Sequence, residues 1–304
     1  MRILSARPSV FSRTLSVIQQ TSIFSTKFYI IIITFSTIYF VHPLLPHSPT
    51  SSGEDRTVSC FRNTLVTLWT LTSLLEYYVN IYWRYYDRLR VDLCGLSEVR
   101  WDGDGHFTTL DGHTIGRTTQ SMSGVAVWIH RKTAGALVGY EPVSDRVFVV
   151  RLNAKPRNIT LIRVYGPTTA AKEEEMERFY QDLSQAVKQV PKRDMLLVMG
   201  DFNAKVDRRE PSAVSSAVGL YGLGETNEAG EQLEDCLEHE LALANTMFKQ
   251  HPRRLYTWTS PDGNTRNQID YISIAQRWKT SLMNCRTYPG ADCDTDRQLL
   301  VATL

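Results

Sequence analysis

From residue 65 onward, apolar positions along the chain follow two different spacings. Short apolar runs rich in β-branched and aromatic residues predict strands, whereas apolar residues three and four positions apart predict amphipathic helices. The predicted strands cover residues 65–73, 91–97, 124–129, 147–152, 158–165, 195–199, 255–259, 268–275, 281–287 and 298–304. The predicted helices cover residues 74–89, 172–190 and 228–244. This mixed order predicts an α/β fold of two packed sheets flanked by helices rather than a simple doubly wound sheet.

The first 57 residues have a different pattern, which predicts an N-terminal extension ahead of a domain over residues 58–304. The extension contains an apolar run at residues 28–41 and a Pro/Ser-rich linker at 42–57. The run is shorter than the roughly 20 apolar residues of a membrane-spanning helix. Three interpretations stay open for residues 1–46: a signal anchor that contacts the membrane through 28–41, a mitochondrial transit peptide, and unselected sequence.

The charge balance argues against a domain that binds nucleic acid through bulk electrostatics alone. The formal net charge is +2, but Arg2, Arg7, Arg13 and Lys27 are the only charged residues before Glu54. Residues 54–304 therefore carry 30 bases against 32 acids, a net charge of −2. A domain held on nucleic acid by bulk electrostatics alone would be basic, so function is expected at a local site.

The five cysteines are far apart without a CxxC pair, so we expect neither a zinc site nor a disulfide partner.

Four acidic residues lie at or near the ends of predicted strands. They are Glu98, Asp201, Asp270 and Asp296. Each one alone has a structural explanation, such as a helix cap, a turn or, for Asp270, a salt bridge to Arg266. Together they provide the oxygen ligands that a hard divalent cation and a polarised water molecule require. The combination predicts a catalytic site where the strand ends meet.

Further polar and aromatic residues extend this candidate site. The hydroxyl of Tyr165, at the end of a strand, is able to hydrogen-bond a phosphate oxygen. Asp201 and Asn203 are two residues apart, so both side chains leave the same face of an extended backbone, as in-line attack of water on phosphorus requires. Trp258 and Arg266 lie around the turn that follows a predicted strand, and they are candidate substrate-binding residues. The structural alternative for the aromatics is simple packing at strand ends.

Five segments resemble a known family. The segments GLSEVRW, VYGPTT, GDFNAKVD, YTWTSPDG and RNQIDYIS occur in this order between about residues 89 and 304. They are similar to the endonuclease/exonuclease/phosphatase superfamily, most closely to endonuclease domains of RTE-like non-LTR retrotransposons and to the related craniofacial development protein 2 family. The resemblance implies a DNase I-like four-layer α/β sandwich. It also implies phosphodiester cleavage with Mg²⁺ (or Mn²⁺), DNA as the substrate and a nuclear location.

The resemblance also implies a role for each matching residue. Glu98 corresponds to the metal ligand, and Tyr165 to the tyrosine that contacts phosphate. Asp201 corresponds to the acid that orients or deprotonates the attacking water, with Asn203 beside it to bind the phosphate. Asp270 matches the acid of the family's QIDY segment near the active site.

Two departures from the family pattern bear on activity. Asp296 matches the acid that precedes the family's histidine, but Arg297 stands in the histidine's place. An arginine keeps a cation for phosphate but does not exchange a proton near neutral pH, and we expect a nearby acid to pair with it. The family's first-strand asparagine is also missing, since the closest alignment puts Thr70 there.

These departures predict a phosphodiester hydrolase with reduced or lost activity. One alternative is a catalytically inactive, domesticated copy that acts in binding. Another is a membrane-tethered phosphatase of the same superfamily, suggested by residues 28–41.

Overall fold

A computed structural model gives the architecture of most of the chain after residue 90. It describes residues 29–34, 91–98, 105–109, 112–118, 123–208, 217–237, 241–289 and 296–304. The linker expected at 42–57, the strand at 65–73, the helix at 74–89 and Thr70 lie outside the described residues.

The described residues form fifteen strands, three α-helices and three short 3₁₀-helices. The strands are β1 Tyr29–Thr34, β2 Leu93–Ser97, β3 Gly105–Thr108, β4 Thr114–Arg117, β5 Val125–Ile129, β6 Leu137–Pro142, β7 Val147–Leu152, β8 Ile159–Tyr165, β9 Met195–Asp201, β10 Leu241–Leu243, β11 Trp258–Thr259, β12 Arg266–Asn267, β13 Asp270–Ala275, β14 Asn284–Tyr288 and β15 Leu299–Thr303. The α-helices are α1 Arg131–Ala134, α2 Glu173–Gln189 and α3 Glu228–Leu237. The 3₁₀-helices are Ala244–Thr246, Pro252–Arg254 and Gln276–Ser281.

Most of the strands belong to two sheets, as the sequence predicts. The first has seven strands in the order β14-β15-β1-β2-β5-β4-β3, and the second has six in the order β10-β13-β9-β8-β7-β6. In the second sheet β8 and β9 run parallel, and the other neighbours run antiparallel. Strands β11 and β12 form a separate two-stranded ribbon.

The second sheet is buried on both faces, which explains why its strands are continuous apolar runs. On β8, Leu161 packs in the core between the two sheets, whereas Ile162 packs on the opposite face. That opposite face is covered by α2 through Phe179 and Leu183 and by α3 through Leu233. Helix α2 begins with a run of three acids, which is favourable at the positive end of a helix dipole.

Strand β1 comes from the apolar run that the sequence leaves open between targeting and unselected sequence. It pairs parallel to β2 and antiparallel to β15, so it lies inside the seven-stranded sheet. A run of isoleucines suits such a position, because β-branched residues are favoured in strands. Among the residues that the structure describes, no helix is long and apolar enough to cross a membrane.

The boundaries of three predicted elements are wrong, and the reason is tertiary pairing. The helix expected over 228–244 ends at Leu237, and Leu241–Leu243 instead forms an edge strand against β13. Only Trp258–Thr259 of the strand expected at 255–259 is extended, and the strand expected at 281–287 begins at Asn284. Local sequence patterns do not show which strand a segment will pair with, and this pairing decides where each helix or strand begins and ends.

The parallel pairing of β8 and β9 depends on a glycine at position 200. A Cβ atom there would lie 2.1 Å from the backbone oxygen of Val164, whereas a Cβ at Gly139 on β6 would meet no atom within 4 Å. We expect Gly200→Ala to lower the free energy of unfolding by about 3 kcal/mol or more, because backbone must move. Gly139→Ala is the matched control and is expected to change it by less than about 1 kcal/mol. Equal stabilities in urea unfolding would contradict the observed pairing.

Candidate active site

Three neighbouring strands of the second sheet place the central side chains of the site. In the strand register, Asp201 on β9 lies between Tyr165 on β8 and Asp270 on β13. Asp201 has 0% of its surface exposed and Asp270 has 2%. Two adjacent buried carboxylates are costly unless a cation compensates their charge.

Arg297 provides that cation. Its Nη2 atom lies 2.7 Å from Oδ2 of Asp201, and its Nη1 atom donates a hydrogen bond of 3.0 Å to Oδ2 of Asp270. Its Nε atom lies 3.7 Å from Oδ1 of Asp296. The ion pairing expected for Arg297 is therefore confirmed, and the guanidinium bridges three of the predicted site acids.

The β11–β12 ribbon helps to hold this guanidinium in place. Trp258 forms an isolated antiparallel bridge with Arg297, and the backbone N–H of Thr259 donates to the carbonyl of Asp296. The indole N–H of Trp258 also donates a 2.6 Å hydrogen bond to Oδ2 of Asp296. Trp258 thus contacts the acid cluster directly, which its sequence position alone does not reveal.

Burial and charge act in opposite directions on these groups. Burial, opposed by the charge of Arg297 and reinforced by the neighbouring Asp270, raises the pKa of Asp201 to about 7. Burial by itself would lower the pKa of Arg297, but Asp201 and Asp270 raise it above its ordinary value. Arg297 therefore keeps its charge, while Asp201 titrates near neutral pH.

Glu98 and Tyr165 form the other part of the site. Glu98 follows the end of β2 with a positive φ of 57°, an uncommon conformation for a non-glycine residue. The hydroxyl of Tyr165 donates a 3.0 Å hydrogen bond to Oε1 of Glu98. Burial and the charge of Glu98 raise the pKa of Tyr165 above its usual range, so the hydroxyl stays a proton donor.

Asn203 connects these two parts through the loop after β8. Its backbone N–H donates to Oδ1 of Asp201 at 2.9 Å, and its Nδ2 atom donates to the carbonyl of Gly166 at 2.9 Å. Gly166 in turn donates its N–H to the carbonyl of Asp201 at 2.7 Å. Asn203 has a φ of 48°, which asparagine adopts more readily than most residues.

The structure thus brings together eight of the nine predicted site residues. Arg266 is the exception, because it is exposed on β12 and its guanidinium stacks 4.9 Å from the ring centre of Tyr256. The alternative in which Asp270 pairs with Arg266 is replaced by its pair with Arg297.

Sequence reasoning missed Arg163, a fully buried residue of β8 that reaches β2. Its signal was a single arginine within an otherwise apolar strand.

The side chains present fit a hard divalent cation at Glu98 but not at the acid cluster. A magnesium ion is commonly held by one or two carboxylates together with water and substrate phosphate, so Glu98 is a suitable ligand. Asp201 and Asp270 direct oxygens at Arg297 instead. Within the described part of the chain, no group of three or more His, Cys, Asp or Glu side chains is arranged to hold a metal.

Comparison with known proteins shows the family of this chain. Residues 67–290 match the sequence model of the Endonuclease/Exonuclease/phosphatase family. The chain belongs to this family. It is 40% identical over 261 residues to craniofacial development protein 2 of Tragulus javanicus, covering 84% of this chain and 45% of that protein. The chain therefore spans less than half of the length of this relative.

Solved structures with low sequence identity to this chain share its fold. The endonuclease domain of TRAS1, a telomere-specific non-LTR retrotransposon, has a TM-score of 0.51 at 14% identity and covers 72% of this chain and 89% of its own. The D. rerio TDP2 structure complexed with a single-strand DNA product has a TM-score of 0.55 at 11% identity and covers 92% of this chain and 99% of its own. The DNase I-like α/β fold expected from the sequence is confirmed.

Arg297 should dominate the stability of the acid cluster. We expect Arg297→Met to lower the free energy of unfolding by about 3–5 kcal/mol, because it leaves two buried carboxylates without their cation. The control is Arg178→Met, which removes an exposed guanidinium on α2 and should change the free energy of unfolding by at most about 1 kcal/mol. Urea unfolding at pH 8 measures both. Similar losses in the two variants would contradict the role of Arg297.

The raised pKa of Asp201 predicts a pH dependence of stability. Asp201 binds a proton more tightly in the folded than in the unfolded chain, so its contribution favours folding below about pH 4 and is lost as the pH rises to about 7. In Asp201→Asn we expect the loss of stability between pH 4 and 7 to shrink by roughly 1–3 kcal/mol. Asp207→Asn, at an exposed position, is the control. Unfolding curves with the same pH slope in wild type and Asp201→Asn would refute this.

Proposed function

We propose that this chain is a retrotransposon-derived, DNA-directed phosphodiester hydrolase domain in which Arg297 restrains hydrolysis. The observation that carries the proposal is the 2.7 Å ion pair between Arg297 and Asp201. Family membership and the nuclease-like fold support phosphodiester chemistry. The fixed guanidinium beside Asp201 accounts for the restraint.

Each site residue has a place in this proposal. Glu98 would hold Mg²⁺ or Mn²⁺, which when bound neutralises charge that develops on the phosphate oxygens. Tyr165 donates a hydrogen bond in this region, and Asn203 holds the loop beside it. Asp201 would orient the attacking water and accept its proton, and a pKa of about 7 suits a general base near neutral pH.

The restraint follows from the chemistry of arginine. The guanidinium 2.7 Å away lowers the pKa of Asp201 relative to the value that burial alone would give, so Asp201 is a weaker proton acceptor here than it would be beside a neutral partner. Arg297 also cannot donate a proton to a leaving group near neutral pH. The loss of one such group typically costs two to four orders of magnitude in rate, about 3–5 kcal/mol of transition-state stabilisation.

DNA is the proposed partner, and the nucleus is the proposed location. One structural relative was solved with a single-strand DNA product, and another is the endonuclease domain of a retrotransposon. Because residues 54–304 carry a net charge of −2, binding would depend on local contacts at the site and on exposed cations such as Arg266.

Two other functions compete with this one. An inactive domesticated copy that acts in binding is favoured by the same Arg297 ion pairs, since they stabilise the site without a metal at the acid cluster. A membrane-tethered phosphatase would need residues 28–41 in a membrane. Because β1 uses residues from this run as a sheet strand, the nuclease proposal is favoured.

A plasmid-nicking assay tests the proposal. The full chain and its Arg297→His variant are incubated with supercoiled plasmid and Mg²⁺, with Arg178→His, at an exposed position of α2, as the matched control. We expect Arg297→His to raise the initial nicking rate about tenfold or more, because a titratable imidazole replaces a fixed cation. Arg178→His should leave the rate unchanged. Adding Asp201→Ala to Arg297→His should reduce the rate by about two orders of magnitude or more.

The outcomes separate the competing functions. Equal nicking by wild type and Arg297→His would show that Arg297 does not restrain the reaction. Folded Arg297→His protein that retains plasmid without nicking it would instead support the binding-only alternative.

A further inference from the structure

We infer that Arg163 is a positioning residue of this site. It holds the end of β2 that leads into Glu98 and, together with Arg297, balances the buried charges of Asp201 and Asp270. The inference rests on the proposed function only for the working roles of Glu98 and Asp201. Its geometry stands independently of whether the chain hydrolyses DNA.

Arg163 occupies the space between the two sheets. It is 0% exposed, and it lies on the same face of β8 as Leu161 and Tyr165, which pack against the inter-sheet core. Its Nε atom donates a 3.3 Å hydrogen bond to the carbonyl of Leu96, and its Nη2 atom donates to Oγ of Ser97. These are the two residues that precede Glu98, so one side chain of the second sheet fixes the end of a strand in the first.

The strand opposite Arg163 is shaped to admit its side chain. A Cβ atom at Gly95 would lie 2.7 Å from Cδ and 2.9 Å from Nε of Arg163, and 2.8 Å from Cε of Met199. A glycine at this point of β2 therefore lets the guanidinium and its stem pass close to the strand backbone. The φ of 57° at Glu98 comes three residues later, directly after the segment that Arg163 holds.

Charge provides the second argument. On β9, Met199 is opposite Arg163, and Asp201 is two residues further along the same face, beside Asp270. Burial lowers the pKa of Arg163 to about 10, and the charges of Asp270 and Asp201 oppose this decrease. When Asp201 is ionised, as at pH 8, the buried group formed by Arg163, Arg297, Asp201 and Asp270 carries two positive and two negative charges. Removal of one cation leaves a buried net charge of −1.

A residue that merely fills space would behave differently from one that balances charge. If Arg163 only fills space and donates its two hydrogen bonds, the cost of Arg163→Met does not depend on the charge at position 201. If Arg163 also balances charge, that cost falls when one of the two aspartates is neutralised at the same time. Energetic coupling between positions 163 and 201 therefore distinguishes the two roles.

A thermal double-mutant cycle on the full chain at pH 8, where Asp201 is ionised, measures this coupling. We expect Arg163→Met to lower Tm by roughly 5–10 °C in the wild-type background. In the Asp201→Asn background the decrease should be less than half as large, because Arg297 and Asp270 then balance each other. The matched control is Arg151→Met, which removes a guanidinium paired with Asp194 elsewhere in the sheet. Its effect should be the same in both backgrounds. Equal effects of Arg163→Met in the two backgrounds would overturn the charge-balancing role.

Arg163→Lys tests positioning without a change in charge, and it covers the case in which Arg163→Met does not fold. Lysine lacks the fork that contacts both Leu96 and Ser97. We expect amide hydrogen exchange at residues 96–98 to become at least about fivefold faster than in wild type, and Arg151→Lys to leave it unchanged. Unchanged exchange at 96–98 in Arg163→Lys would overturn the positioning role. Neither measurement requires turnover, so a failure of the nuclease proposal leaves both results interpretable.

Discussion

The site depends on one electrostatic constraint, which is the burial of two aspartates side by side. Asp201 and Asp270 are adjacent in the register of β9 and β13, and both side chains are almost completely buried. Two carboxylates at paired positions of adjacent strands remain buried only if cations lie beside them or if they bind protons. Arg297 contacts both carboxylates directly, and Arg163 adds a second positive charge in the same interior.

Several features far apart in the sequence position the groups around the two buried aspartates. The ribbon residue Trp258 bridges to Arg297 and bonds Asp296, so the segment before β15 is fixed next to the acids. Gly200 lets β9 approach β8 closely enough for Tyr165 to lie beside Asp201. The acid cluster is thus a meeting point of both sheets and the ribbon, and its charges affect folding as well as chemistry.

In the proposed function, the compensation that stabilises the site also opposes catalysis. A hydrolytic site needs a carboxylate that is able to accept a proton and a partner that is able to exchange one. The guanidinium of Arg297 keeps its charge whatever the protonation state of Asp201, so it exchanges no proton near neutral pH. Under this proposal a single residue, Arg297, both stabilises the site and limits the reactivity of Asp201.

The sequence by itself determined the α/β class, the inner strands, helix α2 and most of the site. These were readable because a strand buried on both faces must be apolar throughout, and because the functional side chains follow such strands in short motifs. The replacement of the family histidine by Arg297 was equally visible. Tertiary structure alone decided the membership of β1 in the sheet, the end of α3 at Leu237 and the inter-sheet contact of Arg163. Each of these depends on a partner distant in the chain, and local patterns of polarity carry no information about which strand will lie beside them.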